Sequence, residues 1–146
     1  REAEKVQLEN KSNANAARAF ATFLYLKGDY PKMIELGERV LGTEQGKNAF
    51  AWYSLLHASY SKSLQNEKAD QYLNLLEDLT ARDSKARYSL AMNYAELGRT
   101  NEAIQLLEDC FNVREERMAW LNVEPRFENL RSDERLQASL VKMKFR

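Results

Sequence analysis

Leu90-Ala91-Met92-Asn93-Tyr94-Ala95-Glu96-Leu97-Gly98-Arg99-Thr100-Asn101-Glu102-Ala103-Ile104-Gln105-Leu106-Leu107-Glu108-Asp109-Cys110 is the stretch that decides the fold. Leu90 and Tyr94 lie four apart, as do Ala103 and Leu107, with Cys110 three further on, so each half presents one apolar helical face. Gly98 between the halves supplies the left-handed conformation that ends a helix. The stretch therefore reads as an amphipathic helical hairpin, and its faces need partners.

Laid on itself at about 34 to 36 residues, the chain yields two more such hairpins. Phe20, Leu56 and Leu90 correspond, as do Leu24, Tyr60 and Tyr94, then Met33, Ala69 and Ala103, with spacings of 36 and 34 in every series. Phe20 with Leu24, Leu56 with Tyr60, and Leu90 with Tyr94 form the predicted buried faces of the first helices. Met33, Leu36 and Val40, then Ala69, Leu73 and Leu76, then Ala103, Leu107 and Cys110 form those of the second. In the first hairpin Lys27-Gly28-Asp29-Tyr30-Pro31 makes the joint, with Pro31 acceptable in the first helical turn and Asp29, or Thr100 in the third, able to cap. Ala21, Ala91 and Ala103 let paired helices approach closely. The second hairpin departs, with His57 at a small-residue position and Leu64 in place of the glycine. Two registers stay open there: one keeps Leu64 at the turn, and the other puts Ala58 at the close contact with a longer turn from Ser61 to Asn66.

Composition agrees with an all-α chain. Five glycines and two prolines among 146 residues leave little turn chemistry for a many-stranded fold. Lysine plus arginine total 22, and aspartate plus glutamate total 22, so net charge directs the chain to neither nucleic acid nor an anionic membrane surface. Cys110 is the single cysteine, which excludes an intrachain disulfide and fits a reducing compartment, the cytoplasm being favoured over an extracytoplasmic setting. No run approaches the roughly 20 apolar residues of a membrane span. The start at Arg1, without methionine, reads as a fragment or processed product.

Leu90-Ala91-x-x-Tyr94-x-x-x-Gly98-x-x-x-x-Ala103-x-x-x-Leu107-x-x-Cys110 resembles the signature of the tetratricopeptide repeat (TPR) family. The resemblance implies an all-α, right-handed superhelical solenoid of about three TPR hairpins plus a C-terminal capping helical segment. Its divisions are a lead-in over 1–13, repeats over 14–46, 47–82 and 83–117, and a cap over 118–146, together one domain. The charged lead-in reads first as a boundary segment with no role of its own, and otherwise as a frayed helical extension or a solvated arm. None of the repeats has the proline that commonly closes the family's second helix.

The segment Trp120-Leu121-Asn122-Val123-Glu124-Pro125-Arg126-Phe127-Glu128-Asn129-Leu130-Arg131-Ser132-Asp133-Glu134-Arg135-Leu136 resembles the closing segment of TPR arrays in bacterial multidomain signalling proteins, such as nucleotide cyclases, serine/threonine kinases and winged-helix regulators. Their pattern, Asp-Pro-x-Phe-Asp-x-Leu-Arg-x-Asp-Pro-Arg-Phe, is kept at Pro125, Phe127, Leu130, Arg131, Asp133 and Arg135, and departs at Glu124, Glu128, Glu134 and Leu136. Physically the segment reads as a lid over the last hairpin's apolar face. Pro125 is expected to stop a preceding helix at about Glu124, and Ser132 or Asp133 to start a final helix with Leu136, Leu140 and Met143 on one side.

His57 and Cys110 each lack a partner at metal-ligand or acid/base spacing, so both read as packing residues and neither a metal nor a cofactor is expected. There is no phosphate-binding glycine loop and no nucleophile elbow. The expected function is a non-catalytic scaffold that binds a protein or peptide in a concave groove lined by the first helices, with homotypic assembly as the alternative. Register nominates Arg18, Thr22 and Tyr25, then Ser54 and Ala58, then Lys85, Tyr88 and Met92, flanked by Asn15, Ala51, Ser61 and Glu96. Tyr25, Tyr88 and Met92 are the natural anchors. A relative of the chaperone-binding TPR class would clamp a C-terminal carboxylate with two asparagines and several basic residues. Arg18 and Lys85 fall at two basic positions, but Thr22, Leu55 and Ser89 stand where the asparagines and a further basic residue belong, which disfavours Hsp70 and Hsp90 tails.

Overall fold

The computed structural model describes residues 2–43 and 49–144, and all regular structure among them is helical. Eight α-helices follow in order: α1 (Glu2–Lys27), α2 (Tyr30–Leu41), α3 (Ala49–Lys62), α4 (Asn66–Arg82), α5 (Arg87–Glu96), α6 (Thr100–Asn112), α7 (Glu128–Arg131) and α8 (Glu134–Lys144). Short 3-10 segments lie at Ser84–Ala86, Glu116–Trp120 and Pro125–Phe127. The backbone of the expected lead-in is the first part of α1. Two compact units, Arg1–Tyr72 and Leu73–Arg146, divide the chain inside α4.

The helix joints are built alike. After α1, the Gly28 amide donates to the Tyr25 carbonyl at 3.0 Å and the Asp29 amide to Leu24 at 2.9 Å. After α3, Leu64 donates to Ser61 and Gln65 to Tyr60, and after α5, Gly98 donates to Ala95 and Arg99 to Tyr94. The residue at the corner has φ +89°, +60° and +78° in turn. Such paired bonds satisfy the last carbonyls of a helix and require a left-handed corner residue. Leu64 adopts that conformation despite its Cβ, which settles the second hairpin in the register that keeps it at the turn. Asp29 caps α2 through its carboxylate, whereas Thr100 is already inside α6 and turns its hydroxyl back to the Gly98 carbonyl, so it does not cap.

In the first unit, Ala21, Leu24, Tyr25, Met33, Trp52, Leu55, Leu56, Ala58, Tyr60 and Ala69 form one buried cluster. α2 and α3 meet closely at Gly37, where a Cβ would lie 2.9 Å from Leu56 Cδ2. Beside it the Ser59 hydroxyl donates to Met33 Sδ at 3.0 Å. His57 stands in register with the fully buried Ala21 and Ala91. Its ring is accommodated because Nδ1 reaches the Ala69 carbonyl at 2.9 Å, so the polar atom that enters the core is paired.

Phe20 is the correction to this core. Expected on the buried face with Leu24, it is 54% exposed, whereas its counterparts Leu56 and Leu90 are buried. Gly37 and Met33 of α2 cover the Leu56 side of α3, and no described helix covers the matching side of α1.

In the second unit α5 packs on α6 through Ala91 and Ala103, both fully buried, with Leu90, Tyr94, Leu107 and Cys110 around them. The expected lid is present: Phe127, Leu130 and Leu136 are buried, and Phe127 meets Tyr88 edge to face at 5.3 Å between centroids. Pro125 does not stop an α-helix as expected. α6 already ends at Asn112, closed by Arg114 at φ +57° with Arg114 and Glu115 amides bonded to Phe111 and Cys110, the same joint as before. The Asp133 carboxylate accepts from the Arg135 amide at 2.8 Å and starts α8, as expected. Leu140 is half-buried, and the Met143 side chain lies outside the described residues.

Candidate protein-binding surfaces

Most nominated groove residues are committed to packing. Tyr25 and Ala58 belong to the first unit's core, and Ser54 is buried there as well. Thr22 is half-buried and donates its hydroxyl to the Arg18 carbonyl at 2.9 Å, while the Arg18 guanidinium bonds Asn15 on the next turn back. Arg18 and Thr22 thus share one patch on α1, and the aromatic anchor expected beside them is turned inward.

In the second unit the chain's own closing segment occupies the face assigned to a ligand. Arg117 lies 4.7 Å over the Tyr88 ring and donates to the Lys85 carbonyl at 2.7 Å, to Ser89 Oγ at 3.3 Å and to Glu115 at 3.0 Å. Arg126, itself buried, donates through two nitrogens to Glu96 Oε1 at 3.1 and 2.7 Å. Tyr88 is therefore sealed between Arg117 and Phe127, and Glu96 is neutralised; Lys85 stays exposed and Met92 half-buried. The hot-spot role assigned to Tyr88 fails because a sealed ring has no surface left to bury.

The second unit offers a different surface, which the sequence reading did not isolate. A cleft of about 400 Å³ is lined by Phe111, Met118, Ala119, Leu121, Asn122, Gln137, Leu140 and Val141. A second hollow of about 570 Å³ shares Phe111, Met118 and Ala119 with it and adds Arg114, Glu115 and Glu116. Volumes of this size suit one or two large side chains or a small ligand. The cleft lies where three elements meet: Phe111 comes from the last turn of α6, Met118 and Ala119 from the 3-10 segment Glu116–Trp120, and Gln137, Leu140 and Val141 from α8. The signal in the sequence was the apolar run Met118-Ala119-Trp120-Leu121, of which only Leu121 is buried and Trp120 is 64% exposed.

On α1 of the first unit, Phe20, Phe23 and Leu26 are 54%, 57% and 50% exposed, with the Phe20 and Phe23 rings stacked at 6.4 Å and Lys27 Nζ 5.9 Å over Phe23. This is a second open apolar face.

The two residues weighed for chemistry are core residues. Burial pushes the Cys110 thiol up to about 11, leaving little thiolate at neutral pH. Tyr60 donates to Glu38 Oε1 at 2.6 Å, and Tyr72 donates to the same oxygen at 3.0 Å. Burial first, then the bond to Glu38, pushes the Tyr60 hydroxyl up to about 12. Among the described residues no three His, Cys, Asp or Glu side chains are placed to share a metal ion, and no helix is long and apolar enough to cross a membrane.

Compared with family models, with curated proteins and with solved structures, the chain matches none of them.

Proposed function

We propose that the chain is a non-catalytic, tetratricopeptide-type interaction module, the helical-repeat region of a larger bacterial signalling or regulatory protein, that binds a peptide or helix of a protein partner. The observation that carries this reading is the recurrence of one joint at Gly28, Leu64 and Gly98, with corner residues 36 and 34 apart, because a period of that length belongs to stacked helical hairpins. The C-terminal sequence pattern supports the signalling assignment, and its Phe127 and Leu130 close the last hairpin's apolar face as a terminal cap does.

The partner's seat in this reading is the cleft at Phe111, Met118, Leu121 and Leu140 rather than Tyr25 and Tyr88. Its occupant is the apolar side chain of an amphipathic peptide. Arg114 and Glu116 beside the apolar floor give both signs of charge with which to orient that peptide.

Selection of displayed peptides against the purified chain tests the reading, with the emission of exposed Trp120 as the binding signal in titrations. Selected peptides should carry a large apolar anchor and lose at least tenfold in affinity to Met118→Asp. Failure to select any peptide, or binding indifferent to Met118→Asp and to changes at Arg18, Lys85 and Met92, would overturn it.

A further inference from the structure

The exposed face of α1 carries a pattern of its own. Asn13, Ala16, Ala19, Phe20, Phe23 and Leu26 are all exposed and lie at helical spacing along one side, small residues toward the N-terminal end and large ones toward the C-terminal end. In an antiparallel helix pair, a two-fold axis beside Ala19 and Phe20 sets Ala16 opposite Phe23, Ala19 opposite Phe20, and Asn13 opposite Leu26 of the second copy. Each large side chain then meets a small one, the condition for interdigitated packing. The face is complementary to itself, as an isologous contact requires.

The internal packing of the first unit points the same way. Leu56 and Ser59, in register with Phe20 and Phe23, are fully buried, with Met33 and Gly37 of a neighbouring helix against them. The fold thus uses these register positions to receive a helix bearing small and apolar residues, and α1 bears them on the face it leaves open. We infer that α1 pairs with α1 of a second copy in an antiparallel, two-fold contact centred at Ala19 and Phe20.

The area makes the contact a weak one. About half of two phenylalanines and a leucine is open, on the order of 300 Å² per copy and so about 600 Å² over both copies, which is below the roughly 1,200 Å² total of stable dimers and among transient contacts.

Sedimentation equilibrium tests it. From about 10 µM to 1 mM the weight-average mass should climb from 17.0 kDa toward twice that value, and Phe20→Glu with Phe23→Glu should hold it at the monomer with helicity unchanged. A short bismaleimide separates geometries: with Cys110 buried and unmodified as the blank, Ala19→Cys should cross-link and Asn13→Cys should not. The two Asn13 positions lie about 20 Å apart along the axis in the antiparallel pair. A constant mass of 17.0 kDa at 1 mM, association that survives both glutamates, or equal cross-linking at 13 and 19 would each overturn it.

Discussion

Replacing Leu64 with glycine should stabilise the first unit, although it removes a leucine. Leu64 sits at φ +60° with its side chain 83% exposed, so the substitution gives up almost no burial. Its local bonds, Leu64 amide to Ser61 carbonyl at 3.1 Å and Gln65 amide to Tyr60 carbonyl at 2.9 Å, are main-chain bonds that glycine keeps. Holding an L-residue in the left-handed region costs about 1–2 kcal/mol. Glycine's larger entropy in the unfolded chain returns about 0.5–1 kcal/mol of that. The net gain is about 0.5–1 kcal/mol, or about 1–4 °C in Tm for a chain of this size. Urea unfolding followed by tryptophan emission is the assay, since Trp52 is fully buried in the same unit while Trp120 is largely exposed and responds little. The midpoint should rise at constant slope, and Gly28→Ala, at φ +89° in the same unit, should lower stability by about 1 kcal/mol. A lower midpoint for Leu64→Gly, with Gly28→Ala costly as stated, would refute the shared-joint reasoning.

Gly37→Ala should cost about 1 kcal/mol rather than gain the helix propensity of alanine, because the new Cβ falls 2.9 Å from fully buried Leu56; Gly42→Ala, at φ −67° with no contact closer than 3.4 Å, should gain a few tenths of a kcal/mol in the same urea titration. Alkaline stability should respond to Cys110, whose folded thiol stands at about 11 against an ordinary value of 9.0. Both states hold the proton below pH 9, and above it the unfolded chain loses the proton first, so stability present at neutral pH is lost as pH rises through the window from 9 to 11, by roughly 2–3 kcal/mol. Cys110→Ala should flatten unfolding midpoints between pH 8.5 and about 10, and an unchanged slope there would assign the loss to other groups.

What the sequence made legible follows the period. Gly28 and Gly98 mark their joints because glycine announces a left-handed corner, whereas Leu64 gives no such sign: the period leaves two registers open there, and only the backbone, at φ +60°, puts Leu64 at the corner. His57 could not be placed by residue type, since a small-residue position and a lengthened turn explain a histidine equally well; the Ala69 carbonyl that receives its ring belongs to another helix, and sequence spacing does not display that bond. Phe20 was misplaced for a related reason. Register identifies equivalent positions but not whether a neighbour covers them, and coverage is what separates Phe20 from Leu56.

The same distinction accounts for the binding surfaces. By register, Tyr25 and Tyr88 fall outside the hairpin core on the first helices, where an aromatic is expected to face solvent. Tyr88 is instead covered by Arg117 and Phe127, which arrive from 29 and 39 residues downstream and have no counterpart in the repeat. Their arrival depends on Arg114, a left-handed corner without glycine that ends α6 early and turns the chain back across α5. That one unannounced corner both seals Tyr88 and opens the cleft at Phe111 and Met118, so the residue that hid one candidate surface created the other.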